Sequence, residues 1–141
     1  MNEEPIKSDI VYKLEGLINL FMRVLALIFI WFATRYWLLM VGVLDAEIRF
    51  DTMLNHWKAA SAFLSVSYPI AALGMWGLFR WGIVIWIITA SIEIIMHVLY
   101  PQLYGQHDAL VLFHLSSMGA WLLYFLIEYF DKKRALMQIN K

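Results

Sequence analysis

No cysteine occurs in the chain, and only three prolines and seven glycines punctuate its 141 residues. The missing thiols exclude disulfides, thiolate nucleophiles, iron–sulfur clusters and cysteine-ligated zinc. Charge is scarce as well. Only 16% of residues are Asp, Glu, Lys or Arg, against about a quarter in soluble domains. Eleven basic and eleven acidic residues cancel to a formal charge of zero, so no bulk attraction to nucleic acid is expected. A cleavable signal peptide is not expected either. Glu3, Glu4 and Asp9 precede the first apolar block, which is too long for a signal core, and no A-x-A site follows it.

What the chain has instead is apolar length. Hydrophobic residues make up 62% of it, gathered in four segments, 20–44, 59–79, 81–100 and 109–130. Each reaches the roughly 20 residues that cross ~30 Å of hydrocarbon. None carries a polar face of the kind a soluble amphipathic helix shows. Backbone in lipid must satisfy its own hydrogen bonds, so each segment is predicted to be helical. The predicted fold is all-α: a single domain over 1–141, an integral membrane four-helix bundle. Ile10, Leu14, Leu17, Ile18 and Phe21 repeat at helical spacing with Lys7, Asp9, Lys13 and Glu15 between them. That pattern suggests an N-terminal interfacial helix; the plainer reading is that span one starts early.

Aromatic residues such as Trp37, Trp57, Trp76, Trp81, Tyr100, Tyr104 and Tyr129 fall near the proposed ends of the spans, where amphipathic rings settle. Asp51 is placed to cap a helix leading into span two. A tight connection around Arg80-Trp81-Gly82 makes spans two and three antiparallel neighbours. Pro101, Gly105 and Asp108 supply turn chemistry to the third connection. Pro69 should leave the Ser65 carbonyl without its usual donor and kink span two. Basic residues set the orientation. Lys7, Lys13, Arg23, Arg80, Lys132, Lys133, Arg134 and Lys141 fall on one side, and Arg49 and Lys58 on the other. Both termini are therefore expected in the cytoplasm.

Four residues stand out as a candidate site: Arg35, Glu93, His97 and His114. Arg35 lies three residues beyond Phe32, the midpoint of span one, or roughly 4–5 Å past the bilayer centre. Insertion of a central arginine costs about 2.5–3.5 kcal/mol, so a partner inside the bundle is expected, with snorkelling toward the interface as the alternative. Glu93 of span three has matching depth and is the predicted partner. The bland version of that pairing only fixes helix register. Glu93 and His97 are spaced i, i+4 and share a face, which Thr89 extends. His114 enters span four at a depth similar to His97. Two histidines and a carboxylate resemble a metal triad, but no H-E-x-x-H pattern is present, and no metal or cofactor is predicted. Haem between His97 and His114 is excluded because helices joined by so short a connection pack directly together. The small residues of span two (Ala59 to Ala62, Ser65, Ser67, Ala71, Ala72, Gly74) and of span four (Ser116, Ser117, Gly119, Ala120) suit close helix packing, within the bundle or between copies. Three basic residues after span four are too few to signal lipid-specific recognition.

Leu44-Asp45-Ala46-Glu47 with Arg49-Phe50-Asp51, Pro69 through Gly77, and Trp81-Gly82 through Glu93-Ile94-Ile95-Met96-His97 resemble a bacterial family of short four-span inner-membrane proteins, a domain of unknown function. The resemblance covers roughly residues 20–130 and implies a multi-pass inner-membrane location, without an activity. The architecture is also similar to the small DoxX-like membrane proteins, although no motif secures that link. Two functions remain. The leading expectation is a non-enzymatic accessory or stabilising subunit of a larger envelope complex, with the lipid bilayer and a membrane-protein partner or second copy as its surroundings. The alternative is a small-molecule site for quinone, lipid, proton or metal in the outer half of the bundle.

Overall fold

The computed structural model describes residues 9–44 and 49–139. Lys7, Lys141 and the 45–48 part of the first connection lie outside the described residues. The described chain is all-α, with no strand: α1 (Asp9–Met40), α2 (Asn55–Trp76), α3 (Arg80–Leu99), the short α4 (Pro101–Tyr104) and α5 (Asp108–Ile139). The four longer helices are each long and apolar enough to cross a membrane.

α1 runs unbroken for 32 residues, so no separate interfacial helix precedes span one among the described residues. It also ends earlier than the apolar run does. Gly42 takes φ 77°, Val43 N–H bonds the Leu38 carbonyl and Gly42 N–H bonds the Leu39 carbonyl. That double closure around a left-handed residue is the Schellman ending, which glycine adopts without a Cβ penalty. Hydropathy could not place this stop, because Val41 to Leu44 are as apolar as the helix before them. At 1.5 Å per residue α1 and α5, 32 residues each, are about 48 Å long. α2 and α3, with 22 and 20 residues, are about 33 and 30 Å. The two outer helices therefore overrun the inner pair.

α2 and α3 form the tightest hairpin. The chain turns over 77–79, so Arg80 to Gly82 already belong to α3. Phe79 N–H reaches the Gly74 carbonyl and Leu78 N–H the Met75 carbonyl, the same ending as in α1. Here the left-handed residue is Leu78, at φ 56°. The two helices meet backbone to backbone at Gly74 and Gly82. A Cβ on Gly74 would fall on the Gly82 Cα and within 2.7 Å of the Trp81 ring, and a Cβ on Gly82 would fall on Gly74. Asp51 does not cap α2. The residue before the helix is Leu54, without a side-chain cap, and Asp51 instead accepts from Arg49 Nη2 at 3.1 Å and, through its carbonyl, from Lys58 Nζ at 3.1 Å. An extra turn separates it from the helix start.

α1, α2 and α3 each bury one stripe at helical spacing. On α1 it is Met22, Leu25, Ala26, Phe29 and Ala33; on α2 Ser61, Leu64, Ser65, Tyr68, Ala71, Ala72 and Met75; on α3 Gly82, Trp86, Thr89, Ala90, Glu93, Met96 and His97. The small residues of α2 let α1 and α3 approach closely, while the large ones, Leu64, Tyr68 and Met75, fill the space between them. α5 joins only at its first half, burying His114 and Ser117.

α2 passes through Pro69 without ending. The Ser65 carbonyl, which a residue-69 N–H would normally hold, accepts the Trp37 indole N–H at 3.1 Å. Trp37, expected to anchor at an interface, is therefore a donor to α2 as well. A side chain from α1 replaces the bond the proline removes.

Candidate functional site

Glu93 collects the polar chemistry of the bundle. It is 1% exposed. Its Oε1 accepts from the Tyr36 hydroxyl of α1 at 2.8 Å. Its Oε2 accepts from the Tyr68 hydroxyl of α2 and from His114 Nε2 of α5, the latter at 2.7 Å. Tyr68 Oη also lies 3.5 Å from the same imidazole nitrogen. All three other long helices thus donate to one carboxylate on α3. A buried carboxylate needs such donors, since desolvating it alone costs far more than the bundle can offset.

An aromatic sheath surrounds this cluster. Phe29 meets Tyr68 edge-on at 4.8 Å and His114 at 6.0 Å, and Phe113 covers His114 at 5.3 Å between ring centroids. His114 is fully buried, and its Nδ1 has no hydrogen-bond partner among the described residues. With Nε2 donating to Glu93, the neutral imidazole leaves Nδ1 as a bare lone pair; an imidazolium would bury an unmatched N–H as well.

Arg35 is not the partner of Glu93. It is exposed, and no ion pair joins it to any described residue. Depth along a span was the basis for the pairing, and depth does not fix azimuth. Successive helical residues turn by about 100°. The buried stripe that reaches Ala33 continues three residues on to Tyr36, which leaves Arg35 one step around the helix. Tyr36 takes the place predicted for the guanidinium.

His97 shares the Glu93 face of α3 but joins a different set of contacts. Its Nδ1 donates to the Gly105 carbonyl at 3.0 Å, and its ring meets His107 edge-on at 4.8 Å. It therefore ties α3 to the segment between α4 and α5. His56 Nε2 bonds the Leu103 carbonyl at 3.1 Å, and Trp57 packs edge-on against Tyr104 at 5.2 Å, so α2 is tied to α4. The imagined layer of Glu93, His97 and His114 is thus two arrangements: a carboxylate–imidazole–tyrosine cluster, and a histidine clasp nearer the end of the bundle. No group of three His, Asp or Glu among the described residues is arranged to hold a metal ion.

A cavity of about 520 Å³ lies between the two, walled by α1, α3, the first turn of α2 and the start of α5. Phe32, Leu39, Trp57 and Leu110 give it apolar walls; Arg35, Glu93 and His97 contribute polar atoms. Its size falls within the range of small-molecule sites, as does its mixture of apolar lining and few polar groups.

Tyr36 and Tyr68 are the site residues that sequence reasoning did not single out. A signal existed for Tyr68. It stands at the middle of span two, beside Pro69, where a buried hydroxyl needs a partner. Treating aromatic residues as interfacial anchors hid it.

These features define an all-α protein with four potential membrane-crossing helices around a buried carboxylate cluster. Residues 16–132 match the family model described as Family of unknown function (DUF6163), and the chain belongs to that family. No curated protein and no solved structure matches it.

Proposed function

We infer that the chain is a multi-pass protein of a bacterial inner membrane, with both ends cytoplasmic, that binds a small molecule in the cavity beside Glu93. The cavity carries this reading: about 520 Å³, with apolar side chains and a few polar groups from α1, α3, the first turn of α2 and the start of α5 around it. The basic bias of Arg23, Arg80, Lys132, Lys133 and Arg134 over Arg49 and Lys58 supports the orientation, which puts the cavity in the outer half of the bilayer. The saturated Glu93 cluster acts as its rigid floor rather than as a reacting group.

The test is native mass spectrometry of protein extracted in a mild non-ionic detergent. Wild type should retain a small molecule, and Ala109→Trp, which fills the cavity from α5, should lose it. Equal retention by the two proteins would sink this reading.

The accessory-subunit reading also has an observation in its favour. Only 11% of the apolar window of α5 is buried, against 56% for α2. A photo-crosslinking residue at Leu122 should capture a protein partner if this face docks in a complex; adducts with lipid alone would count against it.

A further inference from the structure

The hydrogen-bonding groups around the cavity are unequally engaged, and the free ones describe a ligand. Both Glu93 oxygens are engaged by donors from three helices, so this carboxylate is not free to read a bound molecule. His97 commits Nδ1–H to the Gly105 carbonyl, which leaves Nε2 of the neutral ring as an acceptor. Asp108, also on the wall, stands in the first turn of α5, where the helix N-terminus offsets its charge. Arg35 is the one Lys or Arg on the wall, and no ion pair joins it to any described residue. Its guanidinium offers five donors in a planar fork that matches a carboxylate or phosphate. Around it, Phe32, Leu39, Leu44 and Leu110 form apolar wall.

We propose that the cavity takes an amphiphilic oxyanion: a carboxylate or phosphate head held by Arg35, with an attached apolar chain lying against α1 and α5. This rests on the cavity being a small-molecule site, and it adds the chemical class. A head that also carries a hydroxyl satisfies the His97 Nε2 lone pair. A fatty-acid carboxylate and a monoacyl phospholipid phosphate share this chemistry.

The experiment uses full-length protein in phosphatidylcholine vesicles. Three diazirine-bearing probes are compared at equal density: palmitic acid, monoacylglycerol phosphate and hexadecanol. Adducts are located by mass spectrometry after illumination. Both anions should label peptides containing Phe32–Leu44 and Gln106–Leu110, and hexadecanol should label them about tenfold less, as befits one charge-assisted contact. The stronger anion identifies the head. Arg35→Gln should reduce anionic labelling about tenfold, and Arg35→Lys should retain most of it. Ala109→Trp should abolish it. Arg35 is exposed and has no ion-pair partner among the described residues, so neither Arg35 variant should disturb folding, which an unchanged unfolding temperature verifies. Labelling by hexadecanol equal to that by the acids, or unchanged labelling in Arg35→Gln, overturns the oxyanion assignment. If Ala109→Trp still abolishes that labelling, the small-molecule cavity survives. Absence of labelling at these peptides by every probe overturns both.

Discussion

α2 and α5 are both long apolar helices, yet they stand in the bundle in opposite ways. α2 is inserted between neighbours. More than half of its apolar window is buried, and Gly74 touches the backbone of Gly82. α5 lies at the periphery. Its Gly119 has nothing within 4 Å of an added Cβ, and its firmest polar tie is the bond from His114 to Glu93. Hydropathy is nearly blind to the difference, since both pass as spans. What separates them is the distribution of small residues: continuous along α2, but on α5 clustered at Ser116–Ala120 with Ala109 and Ala135 standing apart. Apolar length alone says that a helix suits lipid, whereas small side chains at helical spacing say that another helix lies against it.

The largest effect should come from the one residue that joins the two regions. Glu93→Leu strands two tyrosine hydroxyls and an imidazole N–H in the interior. Breaking a buried charged cluster from one side costs about 3–5 kcal/mol. Unfolding in mild detergent should register a loss of that order, and α5 should loosen more than α2. Because the chain has no cysteine, spin labels on single introduced cysteines at Leu123 and Ile88 report the α5–α3 distance without background. A distance distribution that stays narrow in Glu93→Leu would show that α5 is held by something other than this cluster.

Glycine substitutions sharpen the contrast. Gly74→Ala must push α2 off α3, with an overpacking loss of about 1–3 kcal/mol. Gly119→Ala meets open space and gains helix propensity, about 0.5–1 kcal/mol. Opposite signs in the unfolding temperature are expected, and equal losses at the two sites would remove the distinction between the packed helix and the peripheral one.

Trp37→Phe should cost about 1 kcal/mol, one hydrogen bond to a carbonyl that has no backbone donor. In a Pro69→Ala background the loss should shrink, because the substitution restores a backbone N–H for the Ser65 carbonyl. A double-mutant cycle on unfolding free energy checks this; additivity would mean that the indole contributes only by packing. The smallest effect is expected at the hairpin turn. Leu78 occupies left-handed backbone at a cost of about 1 kcal/mol, so Leu78→Gly should raise the unfolding temperature slightly, offset in part by lost burial. A fall would show that the leucine side chain outweighs its backbone strain.

The four long helices were legible in sequence because lipid-compatible length is a coarse signal. Their ends were less so. α1 ends at Met40, closed by Gly42, inside an apolar run, and Arg80 to Gly82 start α3 rather than forming the turn. The face of α3 was legible from the i, i+4 spacing of Thr89, Glu93 and His97. The face of α1 was not: with apolar residues on every side, periodicity carries little information, and Arg35 drew the pairing that Tyr36 makes. Charge identifies which residue needs an explanation, but the burial stripe decides which residue meets Glu93. The consequence of Pro69 was half legible. The freed Ser65 carbonyl followed from proline chemistry, whereas its replacement donor came from another helix and left no local trace.

The order of the donors along the chain has a consequence for assembly. Tyr36 and Tyr68 are synthesised before Glu93, and His114 after it. When α3 emerges, two hydroxyls from helices already made are available to its carboxylate. The third donor arrives only with α5. The cluster is thus completed from the N-terminal side, and its last bond is a latch closed by α5, which is translated after the other three helices of the cluster. A nascent chain truncated before His114 should already hold α1, α2 and α3 together, with Glu93 one donor short, and extension through α5 should supply the missing donor.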